Sequence, residues 1–293
     1  MLEHTLALLL SVTAVTSDTL GGRIRARIAQ VPGAYVAVAF RPLSARASTD
    51  TLYLAADTAF HAASTMKVPV MIELFRQADA GELSLSQPIL LVNQFGSIVD
   101  GSPYSLDPKE DSDSSVYARV GERVTVRELM ERMIVRSSNL ATNAVIALVG
   151  AGRAQAAMRQ LGASRIRVLR GVEDGKAFEK GLNNTTTARD LATILAAIAE
   201  DRAASARSCA EMRAILLRQE FNDEIPAGLP PGTPVAHKTG SITAHLHDAA
   251  IVYPRGADPY VLVVLTRGIA DERIARSLIV DISRMVYEHV AGR

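Results

Sequence analysis

The stretch "HAASTMKVPVMIELF", residues 61–75, sets a serine and a lysine three positions apart at the head of an apolar run. Lysine occurs only five times in this chain, so one placed a helical turn beyond Ser64 asks for a reason. Residues i and i+3 share a helix face, which would bring the Ser64 hydroxyl beside the Lys67 amine. A serine hydroxyl is a poor nucleophile without a base. A lysine amine serves as that base only where burial or nearby cations lower its pKa. A helix start adds an amide hydrogen and a positive dipole end, where a tetrahedral oxyanion is best stabilised. The same letters also fit a serine N-cap followed by a solvated lysine, and S-x-x-K alone does not separate the two.

Three other clusters bear on the choice. "VRSSNLATNAV" puts Ser137 and Asn139 where one helix ends and the next begins. "HKTGS" puts Lys238, Thr239, Gly240 and Ser241 on a strand, and "LRGVEDGKAFEKGLNN" carries Glu173 and Glu179 between helices. Singly they read as caps, an exposed strand charge and solvated loop acids. Together, and in this order, they describe one site, in which Lys238 lowers the pKa of Lys67 and attracts an anionic substrate.

The elements that must position these residues follow from periodicity. Apolar spacing predicts helices over 19–31, 64–80, 124–135, 139–149, 152–161, 187–200, 205–219 and 271–289. "AYVAVAF" and "TDTLYLAA" predict an N-terminal hairpin, and "TPVAHKTGS", "HDAAIVYP" and "YVLVVLTR" three C-terminal strands. Strands at both ends around a helical middle imply an α/β fold: one antiparallel sheet built from N- and C-terminal segments, flanked by helices, with an all-helical part inserted. The expected division is 19–60 with 221–293 as the sheet part and 61–220 as the helical part, the site lying between them. A polar loop over about 92–121 carries Asp107, Glu110, Asp111 and Asp113, which lack calcium-loop spacing and read as a solvated face.

Bulk properties narrow the function. Net charge is +1 and no basic stretch interleaves with aromatics, so nucleic acid is not an expected partner. One cysteine, Cys209, permits no internal disulfide and no cysteine metal cluster. The opening "MLEHTLALLLSVTAVTSDTL" has an apolar run from Leu6 to Val15, of signal-peptide length, though its first residues lack Lys and Arg. Residues 1–18 are read as a signal, with the protein exported to the periplasm or secreted. No later run is long enough to span a bilayer.

The ordered set S-T-M-K, S-S-N and H-K-T-G resembles the three signatures shared by class A β-lactamases and penicillin-binding proteins. The resemblance covers most of the chain, from the N-terminal hairpin to the closing helix. It implies a β-lactamase-like fold and hydrolysis of a cyclic amide by a monomer without cofactor or metal. It also implies that Ser64 is the acylated nucleophile and Lys67 helps accept its proton. Ser137 and Asn139 relay a proton and hold the substrate amide, while Lys238, Thr239, Gly240 and Ser241 line the carboxylate side. Two departures stand out. Ser138 occupies a position where the family usually has Asp, and no arginine follows Lys238 on the strand, leaving His245, His247 or Arg267 for the substrate carboxylate.

Deacylation separates a β-lactamase from a penicillin-binding D,D-peptidase, a β-lactam sensor or an inactive binding protein. In the family a loop glutamate positions the hydrolytic water. Glu179-Lys180-Gly181-Leu182-Asn183 matches the family's E-x-x-L-N string, whereas Glu173 has the family's spacing from Ser137 (173 − 137 = 36) and follows "VLRGV". Spacing determines where the backbone can reach, so Glu173 is the choice and Glu179 the runner-up.

Overall fold

The structure, a computed structural model, describes residues 19–44 and 50–292; the expected signal segment lies outside them. Helices are α1 (Leu20–Ala29), α2 (Lys67–Asp79), α3 (Val126–Val135), α4 (Asn139–Val149), α5 (Ala151–Gln160), α6 (Gly175–Glu179), α7 (Ala188–Ala199), α8 (Ala206–Leu216) and α9 (Glu272–Ala291). The main sheet comprises β1 (Tyr35–Pro42), β2 (Leu52–Leu54), β3 (Val235–Ile242), β4 (His245–Val252) and β5 (Tyr260–Arg267). Its order is β2-β1-β5-β4-β3, every pair antiparallel. The expected fold class is therefore the observed one.

Two apolar cores lie on the two faces of this sheet. Strands alternate their side chains between faces, and here both faces are covered, so the strands are almost uniformly buried. One face packs Val38, Phe40, Leu262 and Val264 against α1 and α9, with Ile24, Leu278, Ile282 and Val286. The other packs Ala37, Ala39, Val261 and Val263 against the helical segment, where Phe75, Leu129, Leu140 and Leu195 are fully or almost fully buried. Helix α2 is the axis of that second core. Its residues from Lys67 to Phe75 are all buried, and Pro69 falls in the first turn, where no internal amide partner is lost.

A 3-10 turn, Ala63–Met66, runs directly into α2 and packs on β3. Gly240 allows this approach: a Cβ there would stand 3.0 Å from the Ser64 amide nitrogen and 3.1 Å from that of Thr65. The loop over 92–121 is more structured than its composition suggests. It holds a two-strand ribbon (Phe95–Gly96 with Pro103–Tyr104) and a 3-10 turn, Ser114–Arg119. The solvated-face reading of its acids is corrected in part: Asp107 and Glu110 are exposed, but Asp111 and Asp113 are buried, at 8% and 1% exposure. A long polar loop hides its few inward-facing acids because composition averages over both sides.

A second glycine, Gly228, makes an even closer backbone contact. Gly228, in the 3-10 turn Pro226–Gly228, lies against α9, where a Cβ would run into the Val280 carbonyl oxygen and Ser283 Cβ. Gly228→Ala should lower the unfolding free energy by about 1–3 kcal/mol or more in a denaturant titration, since a backbone oxygen cannot rotate away.

Candidate active site

Ser64 sits in the 3-10 turn ahead of α2, partly accessible, and among the described residues its Oγ makes no hydrogen bond. The turn begins at Ala63, whose φ of 45° lies in the left-handed region, and the Ala63 amide donates to His61 Nδ1 at 3.1 Å. One turn on, Lys67 is fully buried. Its Nζ donates to Ser137 O (2.5 Å), Ser137 Oγ (3.1 Å) and Asn139 Oδ1 (2.9 Å). From the opposite side β3 delivers Lys238, also fully buried, whose Nζ donates to the same Ser137 Oγ at 3.0 Å and to Thr239 O at 3.0 Å. One hydroxyl is thus held between two amines.

Burial lowers both lysines, because a low-dielectric surrounding disfavours the charged form. Lys238 falls to about 7 for that reason, with Asp248 and Glu224 pulling it back. For Lys67 burial is again the largest cause and the Lys238 charge the next; together they push it well below the ordinary lysine value against Asp111 and Glu173. Each amine is therefore poised to exist without its proton at accessible pH.

The third side of the site is the segment carrying Glu173. Much of this residue is exposed, yet its Oε1 accepts from Asn139 Nδ2 at 2.7 Å, and partial loss of water raises its pKa against that hydrogen bond. Asn139 accordingly bridges Lys67 and Glu173. One turn further along α4, Asn143 fastens the loop: Oδ1 accepts from Val172 N (2.7 Å) and Nδ2 donates to Val172 O (3.0 Å). Asn184 does the same from the other end, accepting from the Leu169 and Arg170 amides and donating to Arg170 O. Arg170 is directed inward, onto Leu182 O, Gly171 O and Asn183 Oδ1.

Ser64, Asn139, Glu173 and Ser241 line one cleft of about 640 Å³, together with Val172, Phe178, Ile242, Thr243, His61 and His245. This is the volume range of small-molecule sites. A family model described as the β-lactamase enzyme family matches residues 19–290. The chain belongs to that family. It is 32% identical over 180 residues to a β-lactamase of Bacillus licheniformis, a match covering 56% of this chain and 55% of that protein. It thus spans little more than half the length of the curated relatives it matches. Among solved structures, a variant of PBP-A in an acyl-enzyme complex with penicillin G is 28% identical, with TM-score 0.77 over 92% of this chain and 95% of that one. A β-lactamase of Sphaerobacter thermophilus is 27% identical, with TM-score 0.76 over 92% and 97%.

Within this β-lactamase-family site, Ser64, Lys67, Ser137, Asn139, Glu173, Lys238, Thr239, Gly240 and Ser241 come together. Glu179 does not: it is exposed at the end of α6 and outside the cleft lining. Asn183, the last residue of the E-x-x-L-N string, does line the cleft, as does Asn184 just beyond it, so the string contributes its amide rather than its acid. Arg267 is also elsewhere, stacked between the Tyr35 and Phe60 rings at 4.8 and 5.0 Å and donating to Ala59 O. His247 is fully buried and holds His61 O at 2.9 Å, leaving His245 as the one of these three on the cleft. Among the described residues no three His, Cys, Asp or Glu side chains are grouped to hold a metal. Asn143, Asn184 and Arg170 went unread in the sequence, since each acts through backbone groups that no local pattern marks.

The buried lysines make stability depend on pH. Because Lys238 titrates near 7 when folded and near 10.5 when unfolded, the unfolded chain binds more protons between those values. Stability therefore rises with pH across that window. Lys238→Met should be more stable than the parent by a few kcal/mol at pH 6–7, with the advantage shrinking as pH approaches 10. Chemical denaturation at a series of pH values measures it; a pH-independent difference would mean Lys238 carries no buried-charge penalty.

Proposed function

We propose that the chain is a serine β-lactamase that opens the lactam amide through an acyl-enzyme on Ser64. The observation carrying this reading is the Ser137 hydroxyl shared by the Lys67 and Lys238 amines, with Ser64 one turn ahead of Lys67 and lining the cleft. Neutral Lys67 takes the proton of Ser64 as its oxygen attacks the lactam carbonyl. The Ser64 backbone amide, at the start of the turn, donates to the developing oxyanion. As the carbon–nitrogen bond breaks, the proton passes from Lys67 Nζ through Ser137 Oγ to the leaving nitrogen, along the 3.1 Å hydrogen bond already in place. Lys238, with Thr239 and Ser241, faces the substrate carboxylate.

Deacylation then falls to Glu173. Partial burial raises its pKa above the ordinary glutamate value, which makes it a stronger base, and its hydrogen bond to Asn139 holds the carboxylate on the cleft that Ser64 shares. Glu173 removes a proton from water, the hydroxide equivalent attacks the ester, and that proton returns to the Ser64 oxygen. The runner-up reading is a penicillin-binding D,D-peptidase-like hydrolase or β-lactam-binding protein that deacylates slowly. The likeness to a PBP-A variant solved as a penicillin G acyl-enzyme favours keeping it.

A chromogenic cephalosporin distinguishes the readings: steady turnover supports the β-lactamase, and a stoichiometric burst that stops supports the slow hydrolase. Ser64→Ala should abolish both turnover and the mass increase of a covalent adduct; a labelled alanine variant would overturn the nucleophile. Glu173→Gln should let the adduct accumulate as turnover drops by about 10²–10⁴-fold, while Glu179→Gln leaves both rates unchanged. Accumulation in the Glu179 variant alone would reverse the assignment.

A further inference from the structure

The strained turn at Ser137 is held from outside its own helix pair. Ser137 has φ 58°, a left-handed conformation that costs a non-glycine residue and persists only where its surroundings over-determine it. Lys67 and Lys238 hold Ser137 itself, and one carboxylate holds the residues that follow it. Asp111 Oδ2 accepts from the backbone amides of Asn139 and Leu140, each at 2.9 Å, and lies 3.3 Å from Ser138 Oγ and 3.1 Å from Tyr117 OH, both donating to it. Its Oδ1 accepts from Asp113 N at 2.9 Å. Asp111 is buried and reaches across 28 residues of chain to sit at the amide end of α4, where a negative charge is favoured.

We propose that Asp111 is a positioning residue for acylation: by clamping the start of α4 it holds the Ser137–Asn139 turn that supplies all three hydrogen bonds of the Lys67 amine. The inference rests on the reading of Lys67 as the base that activates Ser64. Every acceptor of that amine (Ser137 O, Ser137 Oγ and Asn139 Oδ1) belongs to the clamped turn. Asp111 also acts by charge. The charged groups bearing on Lys67 are Lys238 on β3, Glu173 on its loop, and Asp111; the two acids favour the protonated amine and Lys238 opposes it. Removing the Asp111 charge should therefore let Lys67 lose its proton at lower pH.

Asp113 provides the contrast. It is also buried, bonded to Arg132 and Ser115 and paired with Arg136 at 3.5 Å, but its carboxylate bonds neither Ser137–Asn139 nor Lys67. The experiment follows the pH dependence of single-turnover acylation by a chromogenic cephalosporin in Asp111→Asn, Asp111→Ala and Asp113→Asn, with thermal unfolding of each. Asp111→Asn keeps the shape and should move the acid limb down by roughly one pH unit. Asp111→Ala also removes the clamp and should lower the plateau by about tenfold or more. Asp113→Asn should lose stability yet keep the parent's acid limb. A parent-like limb and plateau in both Asp111 variants, or the same limb shift in Asp113→Asn, overturns the proposal. Lys67→Met separates the two claims: if it acylates like the parent, the base assignment falls and this inference with it. If it is inactive while the Asp111 variants behave like the parent, the inference falls alone.

Discussion

Two lysine amines converging on one buried serine hydroxyl is the interaction on which the rest of this site depends. Lys67 and Lys238 stand 3.1 and 3.0 Å from Ser137 Oγ, with neither amine reached by solvent. Two positive charges in so small a dry volume repel, so the arrangement is tenable only when at least one amine is neutral or nearby carboxylates compensate. Both remedies are present. Burial lowers the lysines, Asp111 and Glu173 face Lys67, and Asp248 and Glu224 support Lys238 from behind β3. Glu224 is itself pushed up to about 7 by burial and by Asp248.

Such an arrangement has to be imposed by the fold. Ala63, Ser137 and Glu173 all have positive φ, and they are the residues that enter the nucleophile turn, carry the shared hydroxyl and carry the candidate deacylation base. Backbone strain concentrated at one site persists because rigid elements pin it. Helix α2 is locked in the core, β3 is hydrogen-bonded along its length to β4, and α4 is fixed at its start by Asp111 and to the Glu173 loop by Asn143. Gly240 completes the frame by letting β3 lie against the Ser64 turn without a side chain between them.

What was legible in the sequence divides along physical lines. The helices and main strands could be read because a buried face imposes a period, and the bounds of α4 and β5 agree with the pattern to the residue. Ser64, Lys67, Ser137 and Lys238 could be read because their chemistry demands those residue types in that order. The choice between Glu173 and Glu179 turned on reach rather than on letters, and the cleft accepts only the former. Asp111 could not be read: its role is to meet two backbone amides 28 and 29 residues downstream, and nothing in a polar, acidic loop distinguishes the inward acid from its solvated neighbours. The stacking of Arg267 on Tyr35 and Phe60 could not be read either, because strand alternation gives a side chain's face but not the rings it meets.

With only five lysines in the chain, the shared-hydroxyl arrangement is open to direct observation. A pH titration of the lysine Cε resonances by carbon–proton NMR, with Lys67 and Lys238 assigned by substitution, reads each amine separately. The account predicts Lys238 titrating near 7 and Lys67 well below the ordinary lysine value. Lys67 and Lys238 both titrating near 10.5 would contradict it, since two fully charged ammonium groups would then be sharing one buried hydroxyl at neutral pH.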